Sequence, residues 1–397
     1  MPLLLFDSAN RVDLLPLTYA RPVADLRLGI LTLGEKWARR LDMPASYLSA
    51  PYLRRLFPPN FGEDNLLIEG SLVPDVSNVS WIEGIPENTA WLRGGALLVA
   101  RLNEERARAY ATDRTLDGVN VQDAPHLPYR FVSRPADLFL QNGEAIVSDF
   151  ELITGGRTSE ALSASNTLIG PPENLFLEAN VTLEACILNV ESGPIYIGKD
   201  ATVLEGCLLR GPISIGQEAV VKMGARIYGG TTVGPDCKVG GEISNVVFQG
   251  NSNKGHDGYL GNAVVGEWCN LGADTNASNL KNDYGEVKVW SYAENRMVGS
   301  GLQFHGLIMG DHSKTGINTM LNTGTVVGFS ANVFGAGFPP SFIPSFSWGG
   351  GEGLQPYRVE KAMATAERMM ERRKHPFTPL HRELFLAIFE SSASYRE

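Results

Sequence analysis

Residues 197–240 read IGKDATVLEGCLLRGPISIGQEAVVKMGARIYGGTTVGPDCKVG, and a period of six runs through them. Ile197, Val203, Leu209, Ile215, Val221, Ile227, Val233 and Val239 follow one another at six-residue steps. Gly198, Gly216 and Gly234 stand eighteen residues apart, with a further glycine at Gly240. Six residues make one flat face and three faces return the chain to its starting corner, so eighteen residues form one coil of a triangular prism. One aliphatic side chain per face points inward and stacks on its equivalent in the next coil, and the β-branched excess suits short strands. The neighbouring glycine is expected to let the backbone turn the corner, often with positive φ. An amphipathic helix would need three- and four-residue spacing, and a hairpin sheet simple alternation. Neither pattern is present. The stretch 168–345 is therefore expected to be an all-β left-handed parallel β-helix.

The rhythm falters from about 241 to 264 and resumes at Val265-Gly266 and Leu271-Gly272. It is lost again through 276–305 and returns at Met309-Gly310, Thr315-Gly316, Leu321 and Val327-Gly328. Leu177 and Leu183 read as an opening coil. Breaks in a solenoid are expected to be loops projecting from one face, where sites gather. Behind the prism, FPPSFIPSFSWGGGEG cannot extend the repeat, and two helices follow, Val359–Lys374 and His381–Ser391, within a helical tail of 355–397. The Ala and Met stripe of the first suits packing against the prism or a neighbouring subunit. Ahead of the prism, residues 1–160 combine short buried strands (LLLFD, LLIEG, ALLVA) with an amphipathic helix, ILTLGEKWARRL. That pattern predicts an α/β domain with a mostly parallel sheet.

The whole chain of 397 residues has a formal net charge of -10, with 34 Lys and Arg against 44 Asp and Glu. No basic excess is available to neutralise a nucleic acid backbone, so small molecules are the expected partners. The opening MPLLLFDSANRVDLLP has an apolar run of five residues cut off by Asp7, too short for a membrane span or a signal peptide. Cys186, Cys207, Cys237 and Cys269 lie far apart with no CxxC pair, which suits buried thiols in a reducing compartment, by default the cytoplasm.

The chemistry is expected in Gly241–Gly261, GEISNVVFQGNSNKGHDGYLG, where His256 stands in a glycine-rich setting with Tyr259 three residues on and Glu242 fourteen before. Asn270, Asn279 and Lys281 follow. One imidazole in such a loop is what acyl transfer to an amine needs: it takes a proton as nitrogen attacks a thioester, while backbone N–H groups hold the oxyanion. His305 and His312 are the rivals, since with His256 they could form a three-imidazole metal site, but the spacing shows no close His pairing on adjacent coils. No metal is assigned to this region. His126, His375 and His381 read as structural.

The passage GGEISNVVFQGNSNKGHDGYLGNAVVGEWCNLGADTNASN resembles the acetyltransferase half of the bifunctional bacterial enzymes that acetylate glucosamine 1-phosphate and uridylylate the product. Their order of motifs is a Glu, then His-x-x-Tyr-x-Gly, then Asn-x-Gly-Ala, then a Thr and an Asn. Here it is met by Glu242, His256, Tyr259, Gly261, Asn270, Gly272, Ala273, Thr275 and Asn279. The resemblance implies that His256 is the general base, that Tyr259 and Asn270 hold the amino sugar with Glu242 and Asn279 beside them, and that Ala273 lies on the acetyl-CoA side. It also implies a homotrimer with sites between subunits, and a nucleotidyltransferase-like front domain using UTP and Mg²⁺. The segments LLPLTYARPVADLRLGILTLGEKW and IPSFSWGGGEG extend the similarity, to a variant branch of that family, over nearly the full length.

Two departures bear on substrate. The family's phosphate-reaching Lys is replaced by Ser244, and its Asn-Tyr-Asp-Gly by Asn279-Leu280-Lys281-Asn282, so Lys281 is the candidate for the missing positive charge. In front, LLLFDSANRVD has no glycine in the turn after the strand and no Thr-Arg, so a backbone cradle for phosphates is hard to build. Arg21 and Arg27 are candidate phosphate contacts; the alternative is that Arg21-Pro22 only packs locally, and Glu35-Lys36-Trp37 reads as helix capping and packing. Two further readings stay open: a nucleotidyltransferase with a structural prism, and a non-catalytic trimeric scaffold.

Overall fold

The computed structural model describes residues 1–396 and divides into two compact units. The first comprises residues 1–14, 20–26 and 31–133; the second comprises 15–19, 27–30 and 134–396.

The first unit is a six-stranded sheet in the spatial order 45–48, 3–6, 64–69, 96–103, 89–93, 120–123. Leu3–Phe6 is buried on both faces, as expected of a parallel strand covered on each side. It runs parallel to Ala45–Leu48 and to Asp64–Glu69. The strand read from ALLVA, Ala96–Asn103, is antiparallel to both of its neighbours, and a tight turn at Gly94-Gly95 joins it to one of them, Thr89–Arg93. The sheet is therefore mixed but mostly parallel: three of its five strand pairs are parallel, two at the N-terminal strand and one at the far edge, where Thr89–Arg93 pairs with Asn120–Asp123. Helix Leu33–Leu41 opens on a capping box in which Thr32 and Glu35 exchange bonds, and its Trp37 Nε1 donates to the Leu72 carbonyl at 2.9 Å. Glu35 and Trp37 thus cap and pack, and Lys36 is buried beside them.

The second unit is a parallel β-solenoid of about ten turns, followed by C-terminal helices. Its first face stacks Thr182–Leu183, Thr202–Val203, Val220–Val221, Lys238–Val239 and Asn253–Lys254. A second face stacks Ile187–Asn189, Leu208–Arg210, Arg226–Ile227 and the beginnings of Glu242–Gly250 and Tyr259–Glu267. A third stacks Leu175–Leu177, Ile195–Ile197, Ile213–Ile215 and Thr231–Val233. Partners Val203, Val221 and Val239 are eighteen residues apart and fully buried in one core.

The corner glycines act differently from expectation. Positive φ falls at Asp200, Glu218 and Asp236, two residues beyond each glycine. Gly198 and Gly216 are needed because the next coil passes too close: a Cβ on Gly198 would lie 2.7 Å from the Gln217 nitrogen, and one on Gly216 2.6 Å from the Pro235 nitrogen.

The first break in the rhythm is not a projecting loop. This stretch holds the nine-residue strand Glu242–Gly250 and the start of a second, Tyr259–Glu267, and both continue the solenoid. What changes is coil length: Lys238 pairs with Asn253 fifteen residues on, and Glu242 with Tyr259 seventeen on. Ile243, Phe248, Leu260 and Val265 still fill the core. The second break is an excursion as expected. Val264 pairs with Ile308 and Asn276 with Met320, each forty-four residues on, and between them lies an antiparallel hairpin, Lys288–Ser291 with Arg296–Gly299. The eighteen-residue coil then returns, with Ile308 opposite Val326.

Helices Val359–Arg372 and Pro379–Ser391 close the unit. Phe385 meets the rings of Phe329 at 4.9 Å and His312 at 5.0 Å, so the tail packs on the solenoid. Among the described residues no helix is long and apolar enough to cross a membrane.

Candidate active site on one edge of the solenoid

The edge between the first and second faces carries the candidate chemistry. In one coil this corner is Gly255–Gly258, with His256 exposed at its tip. One coil on it is Gly272–Thr275 with Ala273, and the next is Gly316–Thr319 with Ile317, 73% exposed. Backbone bonds stack the corners: Asp274 N–H donates to the Asp257 carbonyl at 3.1 Å, and Asn318 N–H to the Ala273 carbonyl at 2.8 Å. His256 and Ala273 therefore sit on one edge, a coil apart.

The second face supplies the polar wall beside this edge. Glu242 and Tyr259 are register partners on adjacent strands. The Tyr259 amide donates to Asn276 Oδ1 at 2.7 Å, and its hydroxyl accepts from Asn279 Nδ2 at 3.0 Å; the same Asn279 nitrogen donates to Asn262 Oδ1 at 2.7 Å. Gly261 makes this possible, because a Cβ there would land on the Tyr259 hydroxyl and 2.7 Å from the Asn279 amide nitrogen. Burial pushes the Tyr259 phenol up, opposed by the Asn279 bond and reinforced by Glu242, so the hydroxyl remains a neutral donor at ordinary pH. Glu242 is 3.4 Å from Arg226 Nε.

Asn270 lies on the first face, where its Oδ1 accepts from Asn253 Nδ2 at 3.3 Å, and Arg373 of the tail reaches Asn253 Oδ1 at 2.7 Å. The structure thus groups Glu242, Tyr259 and Asn279 on one face, His256 and Ala273 on the edge, and Asn270 across it. Lys281 belongs to the excursion, with Nζ 3.2 Å from the Glu286 carbonyl and 3.9 Å from Asp283. It lines a cavity of about 410 Å³ together with Lys288, Ser278, Asn322 and Thr323. Sequence reasoning missed Asn276, Lys288 and Lys254; Lys288 lay in a stretch where the period had vanished.

Both rival histidines are buried, and the His305 amide donates to the Asn279 carbonyl at 2.9 Å. His305 is 2% exposed, edge-on to Phe139 at 5.3 Å, and burial lowers its pKa to about 4. His312 is buried among Trp268, Phe329 and Phe385. Among the described residues no group of three His, Cys, Asp or Glu could hold a metal.

The first unit has a pocket of its own. At the ends of Leu3–Phe6 and Asp64–Glu69, where strand order reverses, about 160 Å³ is lined by Ser8, Asn10, Glu69, Ser71, Arg93 and Phe131. Such crevices are where open α/β sheets bind ligands. Glu69 accepts from the Ser71 amide at 2.9 Å and the Ser71 hydroxyl at 2.6 Å. Asp7 accepts from the Val23 amide at 2.8 Å and from the Ser49 hydroxyl, with Arg11 at 3.1 Å. Burial pushes both carboxyls up. Arg21 is buried in the first unit, 3.6 Å from Asp25. Arg27 belongs to the second unit, where its side chain donates to the Gln249 carbonyl at 3.1 Å and the Ile30 carbonyl at 2.5 Å. Neither arginine lines the strand-end pocket.

Parts of this chain are similar to known sugar nucleotidyltransferases and to bifunctional nucleotidylyltransferase/acetyltransferases. Residues 3–158 match the family model described as sugar nucleotidyl transferase. The chain is 33% identical over 93 residues to a bifunctional sugar-1-phosphate nucleotidylyltransferase/acetyltransferase of Sulfurisphaera tokodaii, covering 23% of each protein. It is 36% identical over 87 residues to the bifunctional protein GlmU of Methanocaldococcus jannaschii, covering 22% of this chain and 21% of that one. The chain thus spans about a fifth of the length of the curated relatives it matches. Among solved structures, AntD, an N-acyltransferase from Bacillus cereus, aligns at 14% identity and a TM-score of 0.23, over 49% of this chain and 89% of that one.

Proposed function

We propose that this protein transfers an acetyl group from acetyl-CoA to the amine of a phosphorylated amino sugar of the glucosamine 1-phosphate kind, with His256 as general base. The observation that carries the reading is one edge bearing an exposed imidazole, a small residue a coil away, and the Tyr259–Asn279 pair on the adjoining face. The amine nitrogen attacks the thioester carbonyl, the imidazole takes its proton, and collapse of the tetrahedral intermediate expels the thiolate, which is protonated as free CoA. Tyr259, Asn279, Asn270 and Glu242 orient the sugar. Lys281 and its neighbour Lys288 hold the phosphate in the 410 Å³ cavity. Ala273 leaves room for the acetyl group, and the exposed Ile317 extends the edge for the cofactor arm.

The assembly proposed is a homotrimer. Ile187, Leu208 and Tyr228 stand exposed on the outer surface of the second face, an apolar strip suited to a symmetric partner. Acetyl transfer is assigned to 168–345 and nucleotide handling to 1–160, with 355–397 as a packing tail, in a cytoplasmic protein.

A second reading is favoured by the strand-end pocket of the first unit: a sugar-phosphate oxygen attacks the α-phosphorus of UTP, the α–β anhydride bond breaks, and a UDP-sugar forms with release of pyrophosphate. Mg²⁺ would serve that reaction, but Asp7 and Glu69 already accept protein donors and build no divalent-ion cage, so no step is routed through a metal. Arg93, rather than Arg21 or Arg27, is the cation at the pocket.

The test is to mix the protein with acetyl-CoA and a panel of amino sugars and their 1-phosphates while following free thiol. Amine-dependent thiol release, greatest with the phosphorylated sugars, is expected. Release equal for sugars with and without phosphate would remove the role given to Lys281 and Lys288.

A further inference from the structure

Lys254 is out of place for its position. Leu183, Val203, Val221 and Val239 form an inward column on the first face, and Lys254 is the next member in register. It is 1% exposed. A cation persists in an aliphatic column only where its donors find acceptors. Its Nζ donates to the carbonyls of His256 at 2.6 Å and Asp257 at 2.8 Å, so both point into the prism. Among the described residues cis peptides occur only before Pro16 and Pro212, and in a trans peptide the N–H points opposite to the C=O. The amides of Asp257 and Gly258 therefore point away from the Lys254 ammonium.

We propose that Lys254 is a positioning residue for acyl transfer: from inside the prism its ammonium fixes the corner that carries His256 and turns two adjacent amide donors toward the reacting thioester oxygen. The proposal rests on the assignment of His256 as the base. The Asp257 carbonyl has a second donor in Asp274, whereas among the described residues the His256 carbonyl accepts from Lys254 alone. Gly241, whose Cβ would fall 3.0 Å from the His256 carbonyl oxygen, backs the same corner. Burial lowers the ammonium to about 8 while Asp257 and Asp274 raise it, so the group stays mostly protonated at neutral pH.

The experiment compares the full-length wild type with Lys254→Met and Lys254→Arg, reading kcat, KM for acetyl-CoA and the His256 imidazole resonances by NMR. Lys254→Met should lower kcat about 10- to 100-fold, as a misplaced catalytic group does. KM for acetyl-CoA should change less than threefold, and the single His256 resonance should broaden or split. Lys254→Arg, which keeps a cation, should recover part of both, and it is the variant to read if Lys254→Met fails to fold. An unchanged His256 resonance with unchanged kcat in Lys254→Met would overturn the proposal. A disturbed resonance in Lys254→Met with an unchanged rate also overturns it; if His256→Ala then keeps its rate too, the assignment of the base has failed as well.

Discussion

The coils of 195–240 and those of 241–305 are built from the same three faces but obey different rules. In the first stretch every coil is eighteen residues and the inward column on the first face is valine. In the second, coils of fifteen and seventeen residues precede a forty-four-residue step, and the column admits a lysine. Uniform coils maximise burial and leave nothing to choose between corners. Irregular ones bring a corner, a polar wall and an excursion into one neighbourhood. The difference teaches that the regular stack is scaffold, and that chemistry enters where stacking is preserved but coil length is not.

The largest expected effect comes from moving the irregular feature into the regular stretch. Val221 is fully buried, and Val221→Lys would place an ammonium in the same column. Destabilisation of about 3 to 5 kcal/mol is expected from a buried unpaired charge, and denaturant unfolding would measure it. Little loss would mean that any corner can host a lysine, which removes the distinction drawn for Lys254. Gly261→Ala should act on the site and spare the stack. By displacing the Tyr259 hydroxyl and Asn279, it should raise KM for the amino sugar about tenfold, ~1.4 kcal/mol, with KM for acetyl-CoA unmoved.

A smaller effect concerns His305, whose pKa is near 4 in the fold because burial disfavours its cation. Unfolded, it binds a proton near 6.5, so between those values the unfolded state holds more protons and stability falls as pH drops. The slope is about 1.4 kcal/mol per pH unit at most. His305→Gln should flatten that part of the stability–pH curve; an unchanged slope would show that other groups set it. Smallest is the thiol reactivity. Burial pushes Cys237 and Cys269 up to about 12 and Cys207 to about 11, so an aromatic disulfide reagent should label none of these three before unfolding. Prompt labelling would mean that the coils open.

The solenoid was legible because its inward residues repeat at a fixed step, and stacking demands that step. Two features were not. The corner glycines were read for their φ, whereas the closeness of the next coil excludes a Cβ at Gly198 and Gly216, a contact that no local pattern displays. The strands Glu242–Gly250 and Tyr259–Glu267 were read as a loop because changing coil lengths erase the period, although Ile243 and Leu260 keep the core filled. His256, Tyr259 and Asn279 were visible as a motif. Lys254 was hidden, since a lysine in NSNKGHDG reads as a solvated charge and only the register places it inside. Nor could the sequence tell that Arg27 is occupied by the Gln249 and Ile30 carbonyls.

The central claim is that the edge bearing His256 performs acetyl transfer, and steady-state kinetics of His256→Ala beside His312→Ala test it most directly. General-base loss typically costs on the order of 10² to 10⁴ in rate. The account predicts a fall of that size in kcat for His256→Ala, with KM for acetyl-CoA nearly unchanged, a much smaller effect for His312→Ala, and no response to chelators. Equal losses in both variants, or activity abolished by chelation, would contradict it.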